Sequence, residues 1–241
     1  METSPLVLLP AFPFDSRMWD GVRTSLDHVT LDLDGHGRTP DLTALAHDVL
    51  ARMDVLGLER VVVGGCSMGG YVAMAVLREA PERVAGLVLA DTRFTADGPE
   101  ARANRLAMAD RVLAEGVGWV PDAVLPGLLG PAPAPEVVAR VRELILGRAA
   151  AEVAWAQRAM AARPDSRDVL AAADVPALVL VGGEDALTPP AVARELADVL
   201  PRADYVELPG VGHLTPVEAP EAFAAAVREW WQRVEPAVAR R

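Results

Sequence analysis

Short apolar segments alternate with longer amphipathic segments along most of this chain. Continuous apolar runs of this length are typical of buried strands, and apolar residues spaced near 3.6 are typical of helices. Because helices separate the strands, we expect an α/β fold whose mostly parallel sheet of about six strands has helices on both faces. Strands are predicted at residues 5–10, 28–35, 60–67, 83–91, 176–183 and 203–210, and helices at 18–26, 41–57, 68–81, 189–200 and 217–234.

The alternation stops between residues 93 and 170, which contain no convincing strand. This stretch shows three helical patterns, at 99–116, 135–149 and 151–163, joined by segments rich in Pro and Gly. We therefore predict a core formed by residues 1–92 and 171–241. Residues 93–170 are predicted to form an inserted helical cap.

Composition and charge narrow the classes of function. The chain has 241 residues, of which 51% are hydrophobic, and its net charge is −11, which disfavours binding to nucleic acid or anionic membranes. All 23 basic residues are Arg, which excludes a Lys Schiff base or a phosphate-loop Lys. The single Cys, Cys66, excludes an intramolecular disulfide. With no signal-peptide pattern and no apolar run of about 18 residues, we expect a cytoplasmic protein.

The junction between the third predicted strand and the following helix reads G-C-S-M-G, from Gly65 to Gly69. This sequence fits G-x-S-x-G in the strand–turn–helix context that a nucleophilic serine requires. Small residues on both sides of Ser67 give room where strand and helix pass close together. Ser67 is therefore the candidate nucleophile, and a turn that serves only packing is the alternative.

A serine hydroxyl needs a base, and the chain has four histidines. His213 lies between the last predicted strand and the last helix, at the same carboxyl edge of the sheet as Ser67. His36 is the rival candidate at that edge. His28 begins a strand and His47 lies within a helix, so we expect both to be structural or solvated.

The base in turn needs a carboxylate that fixes its orientation. Asp185 follows the fifth predicted strand, so the chain order of nucleophile, acid and base is that expected for a sheet of this kind. Glu184 is the adjacent alternative, and Asp91, at the end of the fourth strand, is a second one.

Six segments of the chain carry a resemblance to a known family: LLPAFPFDSRMW, DLDGHGRT, VVVGGCSMGGYVAM, LVLADT, VLVGGEDALTPP and LPGVGHLTPVEAPEAF. With these segments the chain resembles the α/β-hydrolases, and within them the small lid-bearing esterases and lactonases, including 3-oxoadipate enol-lactonases. The resemblance implies the α/β-hydrolase fold, a Ser-His-Asp triad, a helical cap over the pocket and an oxyanion hole formed by the backbone N–H groups of Phe12 and Met68. Many relatives have His at the position of Cys66, which we expect to be partly buried and not catalytic.

The segment after the first strand, Pro10-Ala11-Phe12-Pro13, departs from the His-Gly that is common in the family. Backbone donors do not depend on side-chain type, so the departure alters the loop without removing the oxyanion hole.

The pocket is expected between the cap and the carboxyl edge of the sheet. Trp155 is the foremost candidate, and for each cap residue simple packing is the alternative. Arg93, Arg158 and Arg163 are either partners for an anionic substrate or, as we prefer, exposed surface residues, so we expect a largely apolar substrate. The candidate substrate-binding residues are Phe14, Trp119, Leu125, Trp155, Met160, Leu187 and Leu214.

These features predict a serine hydrolase that cleaves a small carboxylic ester or lactone through an acyl-enzyme. The alternatives are a C–C bond or thioester hydrolase or an acyltransferase with the same triad, and a non-catalytic small-molecule receptor. We expect no metal site and no organic cofactor. Either Trp230 or Trp231 could contact a second copy of the chain, although packing of both within the fold is the simpler interpretation.

Overall fold

The protein, described here by a computed structural model over residues 4–35 and 38–238, contains one sheet of six strands. Every neighbouring pair is parallel, and the strand order is β2-β1-β3-β4-β5-β6. The predicted fold class is confirmed. The strands are β1 (Leu6–Leu9), β2 (Val29–Thr30), β3 (Val61–Cys66), β4 (Val84–Ala90), β5 (Ala177–Gly182) and β6 (Ala203–Leu208).

Helices connect the strands in a nearly regular alternation. The helices are α1 (Leu42–Val55), α2 (Met68–Glu79), α3 (Pro99–Glu115), α4 (Val120–Leu128), α5 (Pro135–Leu146), α6 (Ala150–Ala162), α7 (Arg167–Ala171), α8 (Pro190–Val199), α9 (Thr215–Glu218) and α10 (Pro220–Val238).

Three predicted elements differ from the structure. The helix expected at 18–26 is a short 3₁₀ helix, Ser16–Trp19, followed by turns. The strand expected at 28–35 pairs only over Val29–Thr30, because the chain then leaves the edge of the sheet. The helix expected at 217–234 is divided into α9 and α10, with Pro220 as the first residue of the second helix, where its missing N–H costs no helical hydrogen bond.

The sheet is buried on both faces, and alternate residues of each strand enter different clusters. Val61 and Val63 belong to the cluster that includes residues of α1, α2 and α8, whereas Val62 belongs to the cluster that includes residues of α5 and α10. This division follows from the two-residue period of a strand. Within the described ranges, no helix is long and apolar enough to cross a membrane.

The segment between β4 and β5 contains five helices, α3 to α7, and no strand in its length. The sequence did not predict α4, which has Pro near its start and again at Pro126, or the five-residue α7. Asp97, just before α3, accepts from Arg105 Nε at 2.5 Å and from Arg163 Nη2 at 2.7 Å, so one carboxylate joins α3 to the end of α6. The division of the chain into core and cap stays a prediction.

The strand order reverses direction between β1 and β3, because the chain first adds β2 on one side of β1 and then continues on the other. In open parallel sheets, ligands bind at the carboxyl ends of the strands at such a reversal. Phe12 follows β1 and Ser67 follows β3, so both lie at this crevice.

Leu45 of α1 tests the packing of this helix on the sheet. Its side chain is 1% exposed within the core, and we expect Leu45→Ala to lower the free energy of unfolding by about 2–5 kcal/mol, because the substitution leaves a cavity. Leu113→Ala is the matched helical control, since Leu113 of α3 is 50% exposed, and it should cost about 0.5 kcal/mol or less. Urea unfolding of both variants measures the difference, and equal losses would contradict the assigned burial.

Candidate active site

Ser67 stands alone between the end of β3 and the start of α2. Its backbone has φ 52° and ψ −111°, an unusual conformation for a residue with a side chain. A Cβ on Gly65 would overlap the carbonyl group of Gly69, and a Cβ on Gly69 would overlap the carbonyl oxygen of Leu9. The two glycines therefore permit β3 and α2 to pass close together, with Ser67 at the turn between them.

Ser67, His213 and Asp185 form a continuous chain of hydrogen bonds. Ser67 Oγ lies 2.8 Å from His213 Nε2, and His213 Nδ1 lies 2.8 Å from Asp185 Oδ2. The imidazole and the carboxylate are both buried. This is the geometry in which an imidazole can take a proton from a serine hydroxyl while a carboxylate orients the ring.

Asp185 is held in place by three donors besides His213. Its Oδ1 accepts from the backbone N–H groups of Leu187 and Thr188, each at 2.8 Å, and its Oδ2 accepts from Thr188 Oγ1 at 2.6 Å. Burial raises the pKa of Asp185, but the hydrogen bonds and charge of His213 and the bonds from Thr188 outweigh it and hold the pKa below its usual value. The alternative acid, Glu184, is exposed to solvent.

Asp91 lies in the same buried region but contacts the loop that carries His213, not its ring. Its Oδ1 accepts from Gly182 N at 3.0 Å, and its Oδ2 accepts from Thr215 N at 3.0 Å and from Thr215 Oγ1 at 2.7 Å. Burial raises the pKa of Asp91 to about 7, against the lowering effects of His213 and Thr215. Asp91 thus fastens the segment after His213 to the ends of β4 and β5.

Cys66 is fully buried beside these carboxyl groups. Its Sγ lies 3.6 Å from Asp91 Oδ2 and 3.7 Å from the carbonyl oxygen of His213. Burial and the nearby Asp91 raise the pKa of the thiol well above its usual value. A buried, protonated thiol is a poor nucleophile, so its chemistry is that of a small packing residue with a weak donor.

The other histidines lie away from Ser67 or outside the described residues. His47 Nε2 is 2.9 Å from Glu79 Oε2 on the surface, and His28 Nδ1 is 2.7 Å from the carbonyl oxygen of Leu26. His36 lies outside the described residues.

The two predicted oxyanion donors, Phe12 and Met68, lie next to Ser67 or its cavity. Met68 is the first residue of α2, so its N–H has no carbonyl partner within the helix. Phe12 lines the cavity above Ser67. Their role as donors stays a prediction.

A cavity of about 200 Å³ opens above Ser67 and His213. Met160 and Leu187, two of the candidate substrate-binding residues, line it, and so does Phe12. The remaining lining residues are Pro13, Tyr71, Arg93, Arg105, Val124, Leu128, Gln157 and Thr188.

The other predicted substrate-binding residues do not line this cavity. Trp155 instead packs over Gly35 and donates from Nε1 to the carbonyl oxygen of Arg38 at 2.9 Å, so it joins α6 to the loop after β2. Trp119 is covered by Arg111, whose guanidinium lies 3.8 Å from its ring centre. The candidate substrate-binding residues that lie outside this cavity are Phe14, Trp119, Leu125, Trp155 and Leu214.

The other three candidates outside the cavity pack in the hydrophobic core or against it. Phe14 and Leu214 are buried in the cluster that packs on the α5 and α10 face of the sheet, and Leu125 packs against the same cluster. In α4, Val124 and Leu128 face the cavity in place of Leu125. These two residues are four positions apart, on one face of a helix that the sequence did not predict.

Gln157 had a usable signal in the sequence. It lies three residues before Met160 on α6, and residues at this spacing share a helix face.

The three arginines singled out in the sequence have different surroundings. Arg158 pairs with Asp110 on the surface at 2.8 Å, as expected. Arg163 was expected to be exposed, which is wrong, because it is 6% exposed and paired with Asp97. Arg93 is half-buried and lines the cavity.

Comparison with known proteins identifies the family. A sequence model of the alpha/beta hydrolase family matches residues 6–226, and the chain belongs to this family. The resemblance inferred from the sequence is therefore confirmed.

Esterases and a lactonase are among the similar proteins. A thermophilic esterase from Thermogutta terrifontis, solved with malate bound, is 40% identical, with 96% of this chain and 90% of that chain covered and a TM-score of 0.91. The enol-lactonase from Burkholderia xenovorans LB400 is 29% identical, with 96% of this chain and 92% of the enol-lactonase covered and a TM-score of 0.84.

A methyl ester esterase is also among the similar proteins. The pimeloyl-[acyl-carrier protein] methyl ester esterase of Yersinia enterocolitica is 28% identical over 243 residues, with 95% of this chain and 93% of the esterase covered. The chain spans 60% and 49% of the length of the first two curated relatives that it matches.

The buried carboxyl of Asp91 predicts a distinctive pH dependence of stability. Folded Asp91 holds its proton up to about pH 7, whereas the unfolded chain releases it near the ordinary pKa of 3.8. Between these values the folded state binds more protons, so the contribution of Asp91 to the free energy of unfolding falls as the pH rises. In Asp91→Asn this contribution is absent.

Urea unfolding of both proteins between about pH 5 and about pH 7 measures the effect. Wild type should lose stability over this interval relative to Asp91→Asn, whatever the absolute stability of the variant. Asp110→Asn is the control, because Asp110 has an exposed side chain, and its curve should run parallel to wild type. Parallel curves for wild type and Asp91→Asn would refute the prediction.

Proposed function

We propose that this protein is a serine hydrolase that cleaves a small carboxylic ester or lactone. The observation that carries the proposal is the hydrogen-bonded series Ser67–His213–Asp185, whose serine opens into the cavity. The esterases and the enol-lactonase among its relatives support the same class of substrate.

Acylation begins when Ser67 Oγ attacks the substrate carbonyl carbon while His213 Nε2 accepts the hydroxyl proton. Asp185 stabilises the imidazolium that forms, because its pKa is held low and it remains charged. The N–H groups of Phe12 and Met68 donate to the developing oxyanion. Collapse of the tetrahedral intermediate breaks the ester C–O bond, and His213 gives its proton to the departing alkoxide.

Deacylation repeats these steps with water. His213 removes a proton from a water molecule, which attacks the acyl-enzyme and releases the acid and free Ser67. In a lactone the alcohol and the acid belong to the same product. Removal of the general base should therefore slow both half-reactions.

The cavity favours a small substrate with a substantial apolar part. Its volume of about 200 Å³ lies below the roughly 300–1,000 Å³ of sites for drug-sized ligands. Its apolar walls come from Val124 and Leu128 of α4, Met160 of α6 and Leu187. A short acyl chain would bury apolar surface against these side chains, which strengthens binding in proportion to the area removed from water.

A fluorophosphonate probe tests the proposal without assuming a particular ester. We expect stoichiometric labelling of the whole protein at Ser67, located by peptide mass spectrometry, and a large loss of labelling in His213→Ala. Turnover of short-chain methyl esters should fall by about 10³-fold or more in Ser67→Ala, because loss of the nucleophile removes the covalent route.

Ser25→Ala serves as the matched control, since Ser25 lies outside the cavity that contains Ser67. It should keep both labelling and turnover. A folded wild-type protein that neither reacts with the probe nor hydrolyses any short ester or lactone would refute the proposed function.

A further inference from the structure

Arg93 brings a guanidinium group to the cavity that contains Ser67. It follows β4 closely, and its neighbour Thr92 donates from Oγ1 to the carbonyl oxygen of Ser67 at 2.8 Å. The residue next to Arg93 is therefore hydrogen-bonded through its side chain to the turn that carries the nucleophile. One end of the guanidinium donates from Nη2 to the carbonyl oxygen of Leu187, which is 44% exposed at the rim.

The guanidinium of Arg93 lacks the acidic partner that a half-buried arginine usually has. Its Nε is buried and has no hydrogen-bond partner among the described residues, and no ion pair to Arg93 occurs within those ranges. A buried donor without a partner is costly, and a cation in a partly dry site favours an anion. The Nε of Arg93 is therefore a donor that the fold leaves without a partner, in a side chain that lines this cavity.

The second arginine of the cavity is already paired. Arg105 donates to Asp97 and to Gln157 Oε1, and the same Asp97 also pairs with the buried Arg163. One carboxylate is thus shared by two guanidinium groups. No Asp or Glu lines the cavity over the described residues, although the whole chain carries a net charge of −11. Among the described residues, Arg93 therefore places a positive charge without an acidic partner at this cavity.

We propose that the substrate carries a carboxylate in addition to its reacting ester, and that Arg93 binds this carboxylate. This inference rests on the proposed function. The substrate class is a monoester of a short dicarboxylic acid. An apolar chain between the two groups would lie against Met160 and α4, while the guanidinium of Arg93 accommodates the anionic end.

The inference refines the sequence-based expectation of a largely apolar substrate. In the hydrolysis of a monoester, the ester C–O bond breaks, water supplies oxygen to the acyl carbon and hydrogen to the alcohol, and the second carboxylate is unchanged. Arg93 is therefore a specificity-determining residue, and the bond-breaking steps belong to Ser67 and His213.

Paired substrates test this directly. The kcat/KM values of wild type would be measured for monomethyl esters of succinate, glutarate and adipate, each against the methyl alkanoate of equal chain length. For at least one length we expect a preference for the anion of about tenfold or more, which is the range of a charge-assisted hydrogen bond. Arg93→Gln should abolish the preference, and Arg93→Lys should retain part of it because the charge remains.

Arg158→Gln is the matched control, since Arg158 forms an exposed ion pair with Asp110 and does not line the cavity. It should keep the wild-type ratio of anionic to neutral turnover. Methyl alkanoates and monoesters hydrolysed equally well, with the same ratio in Arg93→Gln, would overturn the inference and leave the proposed function standing.

A binding measurement separates failure of the inference from failure of the proposed function. Calorimetric titration of Ser67→Ala protein with the same monomethyl esters should show binding that weakens about tenfold or more when Arg93→Gln is added. If wild type hydrolyses no ester but this binding is seen, the carboxylate site stands and the hydrolase proposal falls. Absence of Arg93-dependent binding would refute the site whatever the turnover.

Discussion

The parallel direction of all six strands is the constraint on which the candidate site depends. Each helical crossover returns the chain to the same end of the sheet, so the carboxyl ends of β3, β4, β5 and β6 meet at one edge. Ser67 and His213 are 146 residues apart, yet their reacting atoms lie 2.8 Å apart because both follow strands of this sheet. The reversal of strand order beside β1 adds the loop of Phe12 to the same crevice.

Two buried carboxyl groups near His213 show how similar burial can have opposite electrostatic results. Asp185 is contacted by the imidazole, by Thr188 and by backbone N–H groups, which hold its pKa low and keep it charged. Asp91 has no such hydrogen bond from the imidazole, and its complete burial raises its pKa to about 7. The first carboxyl orients the ring of His213, whereas the second secures the segment that follows it.

The sequence predicted the sheet and the three members of the hydrogen-bonded series because both depend on local patterns at strand ends. The lining of the cavity was harder to predict. Trp155 has the same helical pattern whether it faces a ligand or Gly35, and only the tertiary structure separates these cases. Arg163 is buried and paired with Asp97, which lies 66 residues away in the sequence. No local sequence pattern therefore predicts its burial. The helix α4 was not predicted because it contains Pro126, and proline within a short segment favours the prediction of a loop.

The strained backbone of Ser67 limits how a site of this kind can arise or be transferred to another protein. A residue held at φ 52° stores conformational free energy, on the order of 1–3 kcal/mol, that the five residues from Gly65 to Gly69 cannot supply by themselves. The packing of β3 between its neighbours and of α2 across the sheet must hold it there. A graft of the short peptide onto an unrelated scaffold would relax to an ordinary turn. Evolution or protein engineering must therefore keep the complete strand–turn–helix together with its supporting sheet, and not the five-residue motif alone.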